Sequence, residues 1–424
     1  MQQNRFARLV LLAIVGLMIA GCAPGLQERF RAFAPRRPAI AREPLLTESP
    51  PPVNRLLVKE ADGNLYTMNA VGGERFALTT DASFARVYSQ PTWSPTGERL
   101  AWGAFDRQEA EITNLLTTTG YDGISRQSAE VPFAPFYISW SPGGEKLAYL
   151  SNWVISEQPS LALRLAEVEG NELAVRTLGA GEPFYFAWAP DGSQLLTHVS
   201  NERVELQRLD GSELSLALSG ALFSAPAWSP DGNRLYYVIA GEQGQQLVEA
   251  DANGAVLKKL TDFAESISFL LSPDGSRLAY VVTSRAAPLA TVGELYLLET
   301  ASRRTRQLTE DPVVGFYWSP DGLKLAYLTL APIGARIGLQ WHVWNGVETT
   351  PYAAYFPSDL YLQAYLPFFT QYALSMSHWS PASDAFVYAG TNASGLAGVW
   401  VQELGKPAPA RPIAGGTFAA WSPR

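Results

Sequence analysis

The chain has 424 residues, 47% of them hydrophobic, which excludes an intrinsically disordered protein and, at that length, a single simple core. A net charge of −8 with no basic cluster excludes a nucleic-acid binder, because neutralising phosphate dominates that affinity. The single cysteine, Cys22, excludes an intrachain disulfide or a cysteine metal cluster, and twelve Trp favour a β-rich fold.

The chain opens with Arg5 and Arg8, then an apolar run from Leu9 to Ala20 broken only by Gly16, then Ile19-Ala-Gly-Cys22. A basic start, a short apolar stretch and small residues describe a secretory signal over 1–21, and the run is too short for a comfortable membrane span. Loss of Arg5 and Arg8 with that signal takes the charge from −8 to −10. Residues 22–53 hold seven prolines and little periodicity, which reads as an extended tether, with a short helix conceivable over 26–33.

From residue 54 onward one unit recurs: Trp93-Ser-Pro-Thr-Gly97, Trp140-Ser-Pro-Gly-Gly144, Trp188-Ala-Pro-Asp-Gly192 and Trp228-Ser-Pro-Asp-Gly232. Leu271-Ser-Pro-Asp-Gly275, Trp318-Ser-Pro-Asp-Gly322, Trp379-Ser-Pro-Ala-Ser383 and Trp421-Ser-Pro423 follow. The intervals between the leading residues are 47, 48, 40, 43, 47, 61 and 42. Such spacing, with four short strands per unit, marks the blades of a β-propeller. Pro presets φ at the first central position of a tight turn, Asp tolerates the second, and Gly accepts positive φ at its end. The motif is therefore the hairpin between a blade's first and second strands, with the Trp wedged between sheets.

The ends are complementary. Residues 55–80 hold second, third and fourth strands without a first, and Thr417–Pro423 is a first strand without the others. Joined, they form one composite blade that closes the ring and removes exposed edges. The expected fold is all-β, a propeller of about eight four-stranded blades over 54–424, or seven if the divergent stretch after Tyr327 makes no sheet of its own.

The repeated Trp-Ser-Pro-Asp-Gly unit resembles the TolB-like propeller family, a WD40-like Pro-Asp repeat, over residues 54–423. Ile19-Ala-Gly-Cys22 resembles the bacterial lipoprotein box, in which the cysteine is acylated. The resemblances imply lipidation at Cys22, a place in the cell envelope facing the periplasm or the cell surface, and a binding habit. TolB itself carries an N-terminal α/β domain, and here a Pro-rich stretch precedes the blades. The same blades occur in prolyl-oligopeptidase-like proteases, whose hydrolase domain has no counterpart in this sequence.

Catalytic signatures are sparse. His198, His342 and His378 stand in no zinc-protease motif, and neither a Gly-x-Ser-x-Gly elbow nor a phosphate-binding glycine loop occurs. Asp191, Asp231, Asp274 and Asp321 belong to separate turns and read as turn residues, not metal ligands. No metal or cofactor is expected. The exception to the pattern is Thr350–Ser375, which is rich in Tyr and Phe and gives the 61-residue interval. Ser358 can cap a short helix that Pro367 should stop. This insertion lies on the face where blade connections gather round the channel, and it reads equally as a binding surface or as a plug. As a surface, its binding residues would be Tyr361, Tyr365, Phe368 and Phe369, with the channel-lining His378 beside them. The expected activity is non-enzymatic docking of a protein or peptide by a monomer. The alternatives are capture of a small molecule or glycan, and a hydrolase or lyase at the channel mouth.

Overall fold

The computed structural model describes residues 53–424, apart from 109–110, 156, 170–171, 183, 219–223, 242–243, 284–291 and 406–408. The signal segment, Cys22, the possible helix at 26–33 and all of the tether but Val53 lie outside the described residues.

Four-stranded antiparallel blades follow one another along the chain, the first six each starting with the strand that ends in the repeat's Trp or Leu. The first blade pairs Arg86–Trp93, Arg99–Gln108, Glu111–Gly120 and Gln127–Val131 in sequence order. The next three repeat that order from Pro135–Trp140, Phe184–Trp188 and Ala227–Trp228. The fifth, sixth and seventh are joined into one eleven-stranded sheet. The join arises because Thr305–Trp318 runs unbroken from the outer edge of the fifth blade to the inner edge of the sixth. Tyr355–Pro357 then bridges the sixth blade at Leu339 and the seventh at Gly390–Asn392. The divergent stretch after Tyr327 thus makes its own sheet, and with the closing blade the described residues make eight.

Each repeat turn is built as its residues dictate. At the fourth blade Ser229 N–H donates to Arg234 O (2.8 Å), Gly232 N–H to Ser229 O (2.9 Å) and Arg234 N–H to Ser229 Oγ (2.8 Å). Gly232 has φ of +73°, where a Cβ would be strained. Ser229 Oγ donates to Asp231 Oδ1 at 2.5 Å, and this bond with one from Asn233 holds the Asp231 carboxyl down to about 2. Ser272–Asp274 and Ser319–Asp321 repeat the bond at 2.6 and 2.5 Å. These carboxylates therefore serve their own turns.

The repeat aromatics also link blade to blade. Trp188 Nε1 donates to Ser139 O (3.3 Å), Trp318 Nε1 to Leu270 O (3.1 Å) and Trp379 Nε1 to Tyr317 O (3.1 Å). In each case the acceptor is the residue just before the preceding blade's own Trp or Leu. Trp93 Nε1 donates in the same way to Ala420 O, just before Trp421, at 3.3 Å. The first blade therefore meets the last as the third, sixth and seventh blades meet their predecessors, which closes the ring.

The closing blade has strand order Phe76–Ala77, Leu65–Asn69, Arg55–Glu60, Gly416–Trp421. Its missing turn is rebuilt from both ends of the propeller. Ser422 N–H donates to Arg55 O (2.8 Å), Arg55 N–H to Ser422 Oγ (2.9 Å), and Asn54 N–H to Arg424 O (2.5 Å). Ser422 and Arg55 thus make the two bonds that Ser229 and Arg234 make. The seam of the ring falls inside a repeat turn.

Candidate functional site

Strand direction defines two faces. First strands run toward the Ser-Pro-Asp-Gly turns, so those turns crowd one face, the turn face. Connections between blades lie on the other, and the insertion after the sixth blade enters the ring from there. After the short strand Tyr355–Pro357 it forms a helical path of π, 3-10 and α turns over Tyr361–Tyr365, Leu366–Phe368 and Phe369–Tyr372. Ser358 Oγ accepts Tyr361 N–H at 3.2 Å, as expected of a cap. Pro367 does not stop the path. It sits in the first turn of the 3-10 segment, where a proline has no intrahelical N–H bond to lose.

This insertion is a plug. Phe369 packs on Phe316 (ring centroids 4.8 Å) and Tyr317 (5.8 Å) of the sixth blade. Tyr372 meets Tyr137 of the second blade at 5.4 Å, and Tyr365 meets Phe418 of the closing blade at 5.1 Å. Thr92 of the first blade donates to Ser375 O at 2.7 Å. The inner strands bend to receive it: bulges put Gln90 at φ +54° and Tyr137 at φ +44°, both beside Tyr372.

The expected binding residues are accordingly placed inside the protein. Tyr361, Tyr365, Phe369 and His378 are 7%, 3%, 1% and 4% exposed, and Phe368 is half-buried. The four buried side chains present no surface to a partner, because each is spent on the channel wall. Tyr361 OH shares a 2.7 Å hydrogen bond with Tyr317 OH, and burial pushes both phenols well up. His378 packs edge-on against Tyr317 (4.7 Å), Trp341 (5.4 Å) and Tyr361 (5.6 Å), with Nδ1 3.0 Å from Val387 O. Burial pushes it down to about 4, so it is neutral at pH 7. His198 is buried with Nδ1 2.7 Å from Ser224 O, and His342 stacks on Tyr327 with Nε2 2.9 Å from Thr329 Oγ1. Among the described residues no carboxylate is a hydrogen-bond partner of these rings, and no group of three or more His, Cys, Asp or Glu could hold a metal ion.

Below the plug the channel is open. A cavity of about 410 Å³ is walled by Tyr137, Trp140, Trp188, Trp228 and Phe269 from the inner strands of the second to fifth blades. Its floor is Thr370 and Leu374 of the plug, and its rim on the turn face is Pro95, Pro142, Pro190, Pro230 and Pro273. Among the described residues no charged one lines it. Leu374 is 49% exposed although it lies inside the ring, so solvent reaches the floor. The result is a blind, apolar funnel within the usual size range of ligand pockets. The sequence displayed its rim and Trp walls as repeat residues. Its depth was not legible, because only the plug sets the floor.

The eight blades, the closed ring and the repeat make the chain a β-propeller. Residues 166–326 match the family described as Lipoprotein LpqB beta-propeller domain. No curated protein sequence matches the chain. Among solved structures, a eukaryotic initiation factor is similar at TM-score 0.56 and 12% identity, over 88% of this chain and 99% of that one. An oligogalacturonate lyase in complex with manganese is similar at TM-score 0.50 and 15% identity, over 84% of this chain and 97% of that one. TolB from Acinetobacter baumannii aligns at TM-score 0.38 and 16% identity, over 77% of this chain and 83% of that one. At such identities the first two likenesses are ones of fold.

Proposed function

We propose that this protein is a non-catalytic, lipid-anchored docking module of the cell envelope, and that its docking site is the funnel on the turn face. The observation that carries this reading is the funnel itself: a solvent-reached cavity of about 410 Å³ walled by Trp, Tyr, Phe and Pro, with no charged residue among the described ones that line it. Aromatic walls of this kind favour an apolar segment of a protein, and the ring-borne rim excludes bulk water around it. The match to a lipoprotein propeller supports the envelope setting. Among the described residues no helix is long and apolar enough to cross a membrane, and the anchor in this reading is Cys22. Several acyl chains hold a protein where a single chain is marginal.

Two experiments test this reading. Leu374→Glu puts a charge on the funnel floor at a half-exposed position, so the melting temperature stays close to the native value while partner capture from detergent-solubilised membranes falls at least tenfold. Unchanged capture by a well-folded variant would refute the funnel as the site. Cys22→Ser releases the protein from the membrane fraction or blocks its maturation. Unaltered membrane association, with no lipid label on the native protein, would contradict the anchor.

A further inference from the structure

The face opposite the funnel carries a feature that docking in the funnel does not use. The hairpins of the first two blades are long, with strands of ten to twelve residues against six to eight in the next two blades. Their tips and the loops beside them expose large apolar side chains: Phe84 at 90%, Ile112 at 51%, Val154 at 56% and Ile155 at 44%.

Contacts of their neighbours hold these hairpins and loops against one another. Arg107 N–H donates to Ala85 O at 2.7 Å, next to Phe84, and Arg107 pairs across the hairpin with Ile112. Asn114 Nδ2 donates to Pro132 O at 3.4 Å, and the adjacent Phe133 meets Trp153 edge-on at 6.0 Å, next to Val154. The exposed apolar side chains therefore line a ridge of adjoining hairpins and loops on one face of the first two blades. Exposed apolar side chains gathered on one face mark an interaction site more than singly scattered ones do.

The charge around the ridge says what covers it. Glu111, Glu130 and Glu157 are exposed there, and Arg107 is the exposed cation among them. Arg86 lies between Asp81 and Asp106, bonded to both, and that triad leaves one further negative charge. An acidic border repels the anionic surface of a bilayer and attracts cationic side chains. We infer that this ridge is a second docking surface, and that it takes a basic polypeptide segment with one apolar face. The ridge and the funnel are on opposite faces, so this inference stands apart from the funnel reading.

The test uses the full chain and a labelled 18-residue peptide of Leu and Lys with one apolar face, beside the same design with Glu for Lys. The Lys peptide should bind, weaken at least tenfold between about 20 and 300 mM salt as surface charges are screened, and weaken at least tenfold with Phe84→Ser plus Ile112→Ser. The Glu peptide should not bind. Both positions are exposed, so the double variant should melt as the native protein does. Leu374→Glu should leave the affinity unchanged, which separates the ridge from the funnel. Equal binding of the two peptides, or no loss in the ridge variant, would overturn the inference. So would ridge-dependent binding to phosphatidylglycerol vesicles without binding of the Lys peptide, which would make the ridge a membrane surface instead.

Discussion

Removing residues 415–424 should unfold the whole ring and not one blade. The deleted segment is the inner strand of the closing blade, in which Phe418, Ala419, Ala420 and Trp421 are all buried. It carries the ladder from Leu56↔Trp421 to Lys59↔Phe418 and the acceptor for Trp93 Nε1. Its loss also strips Tyr365 of its ring partner Phe418, so the plug loosens at the same time. Trp421→Ala alone should cost about 3–5 kcal/mol, the usual range for truncating a buried aromatic. Deletion should cost more, because it also leaves the edge of Arg55–Glu60 unpaired. Thermal melts of the three forms should give one transition each, with the deletion far below Trp421→Ala. A deletion melting like the native chain would refute closure at this seam.

The second large effect belongs to the plug. Tyr361→Ala and Phe369→Ala should each lower stability by about 3–5 kcal/mol. Phe369 is 1% exposed and touches two rings of the sixth blade, and Tyr361 also surrenders its bond to Tyr317, leaving that buried hydroxyl without this partner. Chemical denaturation of the two variants measures the loss directly. A near-native midpoint in both would mean that these side chains are not the wedge that their contacts describe.

The blades were legible because each repeat encodes its own turn. Ser229, Asp231 and Gly232 make bonds that span five residues, so the sequence window that contains them contains the reason for the fold. The split blade was legible for a related cause: Arg55–Glu60 and Gly416–Trp421 are each incomplete alone. The role of the insertion was not. Tyr365 and Phe369 have the composition of an exposed anchor and of a buried wedge alike. What decides between them is the position of Phe418, Phe316 and Tyr137, residues from three blades far apart in sequence. The helical path through Pro367 was missed because the backbone changes helix type there, and a proline at the start of a new turn loses nothing. The funnel was hidden for the same reason as the plug, since its walls come from four blades and its floor from a fifth element.

Site-specific photocrosslinking from the insertion tests the account most directly. A photoreactive residue at Leu374, on the funnel floor, is compared with one at Leu362, which is 40% exposed on the same insertion and is not part of the funnel lining. Irradiated in cells, the Leu374 form should yield a discrete protein adduct that the Leu362 form does not. Adducts from Leu362 alone, or the same adducts from both positions, would contradict docking in the funnel.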